Sequence, residues 1–155
     1  MFERILKYRR DLHQIPELDF DLPKTTAYVR SVLEKLPCEV FSPDGHAVCA
    51  WFDAGAHEAV AFRSDMDALP ICEVSGVPFS SRRQGHMHAC GHDCHIAMLL
   101  GGIRMLMAKK EDLKGNVKII FQAAEESCHG AQYYVEHGFL DDVDAIYGTH
   151  IWGDL

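Results

Sequence analysis

The sequence lacks an excess of basic residues and any long apolar run. Its 15 lysines and arginines are outnumbered by 23 aspartates and glutamates, so the net charge is −8. Binding to nucleic-acid phosphates needs a basic face, and this charge balance therefore argues against nucleic acid as a partner. No apolar run approaches the ~20 residues of a membrane-spanning helix, so no membrane partner is expected either.

The sequence also lacks a CxxC pair, although it contains several cysteines. The six are Cys38, Cys49, Cys72, Cys90, Cys94 and Cys128. No secretory signal is recognisable, and unpaired thiols in that context are typical of a reducing compartment. We expect a cytoplasmic protein whose thiols are buried or bound to metal, without a disulfide framework.

The pattern of apolar residues predicts an α/β fold. At 155 residues the chain is about one domain long, so residues 1–155 are expected to form a single domain. Helical spacing predicts helices over residues 1–14, 23–36, 93–109 and 130–137. Short apolar runs predict strands over residues 38–42, 47–52, 59–63, 117–123 and 143–149. Strands that alternate with helices indicate a mostly parallel or mixed sheet flanked by helices.

The densest group of candidate functional residues runs from His86 to His95. These ten positions hold four histidines, two cysteines and one aspartate. Imidazole and thiolate groups bind borderline-soft divalent ions such as zinc. Asp93 is predicted to cap the following helix, which places Cys90 and His92 near its N-terminus, where the dipole favours thiolate. A histidine-rich surface loop is the alternative interpretation.

Three predicted strands end in polar residues that suit a metal site. Asp65 and Asp67 follow the third strand, Glu125 and Glu126 follow the fourth, and His150 follows the fifth. Sites in α/β sheets gather beyond the carboxyl ends of the strands, so these segments are expected to converge. Adjacent side chains point in different directions, so one glutamate can bind a metal while the other serves as a general base.

Four further residues have two open interpretations each. Asp65 and Asp67 share side-chain parity, and two like charges together imply a cation or a histidine between them. Both suit the orientation of a ligating imidazole, with a cap or turn role as the alternative. His95 lies in the first helical turn and is either a site residue or an exposed histidine. His13 either bonds the last carbonyls of its helix or joins the site.

Several longer motifs together carry a family resemblance. They are RRDLHQIPEL (residues 9–18), RSDMDALP (63–70), MHACGHD (87–93), FQAAEE (121–126) and GTH (148–150). Their order and content closely resemble the N-acyl-amino-acid amidohydrolases. These form the hippurate-hydrolase and auxin-conjugate-hydrolase branch of the aminoacylase-type zinc metallopeptidases. The resemblance implies a zinc-exopeptidase-like α/β catalytic domain.

The resemblance also implies a site with two divalent metal ions, zinc or manganese. Cys90 matches the residue that bridges the ions, and His92, Glu126 and His150 match residues that each bind one. Glu125 matches the general base and Asp67 an aspartate that supports the metal centre, so both are expected catalytic residues. The implied reaction is hydrolysis of the amide bond of a small N-acyl amino acid. A dipeptidase or carboxypeptidase of the same superfamily and a non-catalytic metal-binding remnant are the alternatives.

The resemblance further implies that this chain is a truncated, partial catalytic domain. In the family, a lid and dimerisation domain follows the segment that matches His150, and a later segment supplies a fifth ligand, another histidine. This chain stops at Leu155. We therefore expect weak metal binding and little or no turnover by the chain alone. An exposed sheet edge is also expected, which makes self-association plausible.

Overall fold

The computed structural model describes residues 1–152, and within them five strands form a mixed sheet with helices on both faces. The helices are α1 (Phe2–His13), α2 (Pro23–Leu33), α3 (His92–Met107) and α4 (Gly130–Glu136). The strands are β1 (Glu39–Phe41), β2 (Val48–Phe52), β3 (Ala59–Asp65), β4 (Asn116–Gln122) and β5 (Ala145–Gly148). The predicted α/β class is confirmed, and the sheet is mixed.

The strand order places the ends of three strands side by side. The order is β1-β2-β4-β3-β5, with β1, β2 and β4 paired antiparallel and β4, β3 and β5 paired parallel. Asp65 pairs with Gln122, and Arg63 pairs with Gly148. Since parallel strands end at the same edge, the segments that follow β3, β4 and β5 all leave the sheet at one place.

The apolar residues of the sheet are divided between two packed layers. On one face, α1, α2 and α3 bury side chains such as Leu12, Val29 and Leu100 against Ile119 and Phe121. The other face is covered by α4 and the segment after it. Complete burial of one such side chain stabilises the fold by about 1.5–3 kcal/mol. This packing places α3 against the parallel strands, with the start of α3 beside their carboxyl ends.

A buried glutamate ties the first helices to the segment after β3. The carboxylate of Glu17 accepts the backbone N–H groups of Lys24 and Thr25, both at 2.9 Å, at the start of α2. The Glu17 carboxylate takes the place of a capping side chain, because the N-cap residue of α2, Leu22, makes no side-chain capping hydrogen bond. The carbonyl oxygen of Glu17 accepts the N–H of Ala68 at 2.7 Å. Glu17 therefore caps α2 and also fixes the backbone beside Asp67.

The start of α3 differs from the sequence prediction. Its N-cap is Gly91, with φ +91°, so the predicted capping by Asp93 is wrong. Asp93 is the second residue of the helix and is fully buried. Its Oδ2 atom accepts the Nε–H group of Arg9 at 2.9 Å and lies 2.7 Å from His13 Nδ1. A buried carboxylate is stabilised better by a guanidinium and an imidazole than by a helix N-terminus alone.

None of the helices in the described part of the chain combines the length and apolar content that crossing a bilayer requires.

Candidate metal centre

His92 is the central residue of the candidate site. Its Nδ1 atom bonds the backbone carbonyl of Asp67 at 2.8 Å. Its Nε2 atom lies 3.6 Å from Oε2 of Glu125 and 3.6 Å from Oε1 of Glu126. A tetrahedral zinc ion with bonds of about 2.1 Å holds its ligand atoms about 3.4 Å apart. The spacing around His92 therefore suits atoms that share a cation.

Two buried atoms that lie 3.6 Å apart in this cluster have no hydrogen-bond partner in the described structure. They are His92 Nε2 and Glu126 Oε1. An unsatisfied buried polar atom costs about 1–3 kcal/mol, so such atoms seldom face each other without a reason. Both are strong metal-ligand types, and the donor set around them includes nitrogen, oxygen and sulfur. The residues present fit a divalent metal ion.

Cys90 and His150 complete the group from two other segments. Cys90 Sγ lies 3.3 Å from His150 Nε2, although 60 positions separate the residues. Among the described residues, three sets of ligand-type side chains share His92, each with its atoms within 4.8 Å of one another. The sets are Cys90–His92–His150, Asp65–His92–His95 and His92–Glu125–Glu126. The structure thus brings the predicted site residues together, and the role of each one stays a prediction.

Asp67 is fully buried next to the candidate metal ligands. Its Oδ1 accepts the backbone N–H of Glu125 at 3.1 Å, and its Oδ2 accepts that of Glu126 at 3.0 Å. The preceding residue, Ala124, has φ +57°, a left-handed conformation that costs an alanine about 1–2 kcal/mol. The Asp67 side chain therefore stabilises the strained backbone at residues 124–126, and the Asp67 backbone carbonyl orients the ring of His92.

Asp67→Ala should lower the free energy of unfolding by about 2–4 kcal/mol, because two part-buried N–H groups lose their acceptor. Asp67→Asn retains one carbonyl oxygen and should lose less. Urea unfolding followed by circular dichroism measures both variants. An Asp67→Ala protein as stable as the wild type would show that the turn forms without this carboxylate.

Asp65 is buried between an arginine and a histidine. It forms an ion pair with Arg63, and its Oδ2 lies 3.6 Å from His95 Nδ1. Burial alone would raise the pKa of Asp65, but His95 and Arg63 outweigh it and lower the pKa below the ordinary value. Asp65 ends β3 and caps no helix, and its expected role of orienting an imidazole stays a prediction.

The environment of Cys90 contradicts the expected effect of the helix dipole. Burial and the nearby carboxylates of Glu126, Glu125 and Asp65 raise the pKa of this thiol to about 11. Cys90 precedes the N-cap, so the full charges of the carboxylates outweigh the partial charge of the helix end. The same negative charges would be offset by a divalent cation, which favours the thiolate.

His13 belongs to a buried polar cluster between α1 and α3 that includes Asp93 and Glu73. Its Nδ1 lies 2.7 Å from Asp93 Oδ2 and its Nε2 lies 3.2 Å from Glu73 Oε1, so it does not bond the end of its helix. Neighbouring His88 is also buried, and neither of its ring nitrogens has a partner. Burial lowers the pKa of His88 to about 4. Sequence reasoning missed Glu73 altogether and left the burial of His88 open, because no local pattern marks either.

His13→Gln should remove a pH-dependent part of the stability. The hydrogen bond to Asp93 is the largest cause that raises the pKa of His13 above 6.5. The stabilisation is fully present below pH 6.5 and is lost as the pH rises through the raised pKa. We expect the substitution to cost about 1–3 kcal/mol at pH 5.5 and clearly less at pH 9, measured by urea unfolding. An equal cost at both values would contradict the prediction.

Fold and site together define a class. A sheet whose parallel strands end in a cluster of imidazole, thiol and carboxylate groups is the arrangement of a metal-dependent hydrolase of the metallopeptidase type. Residues 61–155 match the family described as peptidase family M20/M25/M40, and the chain belongs to that family. The resemblance drawn from the sequence motifs is confirmed.

Individual relatives agree with this assignment. IAA-amino acid hydrolase ILR1-like 6 of Arabidopsis thaliana is 42% identical over 146 residues, which are 94% of this chain and 32% of that protein. N-acetyl-L-cysteine deacetylase of Bacillus subtilis is 41% identical over 156 residues, covering 99% of this chain and 37% of that protein. The chain therefore spans about a third of each of these relatives.

A solved structure matches the fold over nearly the whole chain. It is the Bacillus subtilis YXEP protein, described as a dinuclear metal binding peptidase from the M20 family. The TM-score is 0.94 and the identity 41%, over 99% of this chain and 44% of that one. The fold of this chain is thus that of a solved protein described as a dinuclear metal binding peptidase.

Proposed function

We propose that this chain forms the metal-binding part of a site that hydrolyses the amide bond of N-acyl amino acids. The observation that carries the proposal is the buried Nε2 of His92, which faces two glutamates and has no hydrogen-bond partner. The names of the relatives supply the substrate class, since one is a deacetylase of N-acetyl-L-cysteine and another a hydrolase of an amino acid conjugate.

The proposed ligands of two divalent ions, zinc or manganese, come from three segments. Cys90 is the proposed bridge, and His92, Glu126 and His150 are the proposed ligands of single ions. When bound, such ions polarise the amide carbonyl and lower the pKa of a bound water. The Asp67 carbonyl accepts the Nδ1–H of His92 and so leaves Nε2 free to bind.

The two glutamates differ in exposure, which supports different roles for them. The Glu126 side chain is 20% exposed and its Oε1 is buried and unpaired, as suits a ligand. The Glu125 side chain is 37% exposed, so it can reach a water molecule and a substrate. In the proposed reaction Glu125 accepts a proton from the attacking water and then donates it to the departing amine. The products are a carboxylic acid and an amino acid.

Metal analysis and a substrate panel test this proposal. The purified chain is assayed for bound Zn²⁺ and Mn²⁺, then for hydrolysis of N-acetyl amino acids, N-benzoyl amino acids and dipeptides. We expect metal binding, a preference for N-acyl amino acids, and slow turnover at most by this chain alone. Faster hydrolysis of dipeptides would favour the peptidase alternative, which the description of the solved relative also suggests. Absence of metal binding would contradict the proposal.

Two further expectations remain proposals. In the described residues β5 has a paired neighbour only on the β3 side, and Ile146 and Tyr147 are exposed on it. This open edge supports self-association, which sedimentation at increasing protein concentration would detect. All six cysteines are free in the structure, which supports a cytoplasmic location.

A further inference from the structure

His95 lies one turn after His92 on α3 and contacts the segment that carries His150. Its ring is buried, with its centroid 4.5 Å from that of His150. Its Nε2 atom accepts the backbone N–H of Ile151 at 3.0 Å. Because Nε2 acts as an acceptor, the ring proton lies on Nδ1, the atom that faces Asp65 at 3.6 Å. Nδ1 itself has no hydrogen-bond partner among the described residues, so Asp65 acts on the ring through the electrostatic attraction between its carboxylate and the Nδ1–H group.

Ile151 in turn holds the ring of His150. The backbone carbonyl of Ile151 accepts a hydrogen bond from His150 Nδ1, and the opposite ring atom, Nε2, faces Cys90 Sγ. A ligating histidine usually donates its other N–H to such a carbonyl, which fixes the tautomer and the ring orientation. A single residue, Ile151, therefore links His95 to the direction of the His150 ring.

Gly91 gives the same segment a second point of attachment. A Cβ atom at Gly91 would lie 2.3 Å from Cδ1 of Ile151, so the isoleucine side chain packs directly on the glycine backbone. β5 ends at Gly148, and residues 149–152 form no strand. The contacts with His95 and with the Gly91 backbone both help to order residue 151, and fixing the backbone of one residue costs about 1–2 kcal/mol.

We propose that His95, oriented by Asp65, is a positioning residue that fixes His150 opposite Cys90 and His92, and that His95 is not itself a metal ligand. The inference rests on the proposed metal centre. The inference gives Asp65 and His95 a shared role. The ion pair with Arg63 holds the Asp65 carboxylate, which attracts the Nδ1–H group of His95 across 3.6 Å. The opposite ring atom of His95 accepts the backbone N–H of Ile151, beside His150.

A matched pair of substitutions tests this role. Gln places an amide oxygen near the position of Nε2, whereas Leu has a similar size and no acceptor. We expect His95→Leu to weaken Co²⁺ binding about 10–100-fold and to speed amide hydrogen exchange at Ile151, while His95→Gln stays close to wild type in both. Unchanged exchange at Ile151 in the leucine variant, or equal metal loss in both variants, would overturn the inference.

A double substitution separates positioning from ligation. If His95 acts through His150, His95→Leu adds no further loss of Co²⁺ affinity in a His150→Ala background. Additive losses would identify His95 as an independent ligand and overturn the inference. Should His95→Leu fail to fold, His95→Met, which has only a weak acceptor at this position, replaces it in both measurements, and the same loss of affinity and of protection at Ile151 is expected.

The failure of the metal centre is distinguishable from the failure of this inference. A wild-type chain that binds no Co²⁺ contradicts the proposed function. Hydrogen exchange at Ile151 needs no metal, and faster exchange in His95→Leu but not in His95→Gln would still support the contact. If the amide of Ile151 exchanges faster in His95→Leu but Co²⁺ affinity stays at the wild-type value, the positioning role of His95 is overturned while the metal centre is not.

Discussion

Cys90→Ala should weaken Co²⁺ or Zn²⁺ binding by about 10³-fold and abolish the thiolate-to-cobalt absorption band. The sulfur lies 3.3 Å from His150 Nε2, and it is the proposed shared ligand of both ions. Loss of a bridging thiolate removes a bond from each ion, and a thousandfold change corresponds to about 4 kcal/mol. Competition with a chromophoric chelator measures the affinity, and the cobalt spectrum reports sulfur ligation directly.

Cys94→Ala provides the matched control for that prediction. Cys94 lies in the same segment and is half-buried, but in α3 near Arg9 and Asp93, away from the ligand sets. We expect Co²⁺ affinity and the absorption band to be unchanged in this variant. Equal effects of the two cysteine substitutions would contradict the assignment of Cys90 as a ligand.

Glu125→Gln should lower kcat by about 10²–10⁴-fold without loss of metal, because the amide cannot accept the proton of the attacking water. The side chains differ little in size, and the backbone bond from residue 125 to Asp67 is unaffected by the change. The kcat values are compared in a preparation whose wild type hydrolyses an N-acyl amino acid at a measurable rate. Metal content is measured on the purified chain without substrate.

Glu126→Gln separates the two glutamate roles. The more buried Glu126 is the proposed ligand, so its amide variant should lose metal as well as activity. A Glu125→Gln protein with full activity would show that the general base lies elsewhere. Metal loss in Glu125→Gln but not in Glu126→Gln would reverse the two assignments.

The convergence of the site could be predicted because it follows from local patterns and one topological rule. Asp67, Glu125 and His150 each come just after a short apolar strand, and alternation of strands with helices predicts parallel pairing. The observed register of β3 with β4 and β5 confirms that these strands end together. Residue types that bind metal are also visible directly in the sequence, as the segment around Cys90 shows.

The supporting contacts could not be predicted, because they depend on residues far apart in the chain. Asp93 has the residue type of a helix cap, yet its main partner, His13, lies 80 positions away. Glu73 has no distinguishing pattern, and His88 is buried beside His13, a residue far from it in the chain. The pKa of Cys90 was expected to fall, and the three-dimensional placement of carboxylates around it raises the value instead.

By itself the sequence determined the α/β class, the family and the set of candidate ligands, since side-chain chemistry and apolar periodicity are local properties. Only the tertiary structure decided how these groups are held. It places Asp67 beneath a glutamate turn 58 positions away and His95 against the backbone of Ile151, 56 positions away. Hydrogen bonds act over about 3 Å, so packing of the sheet against α3 determines which of these groups meet.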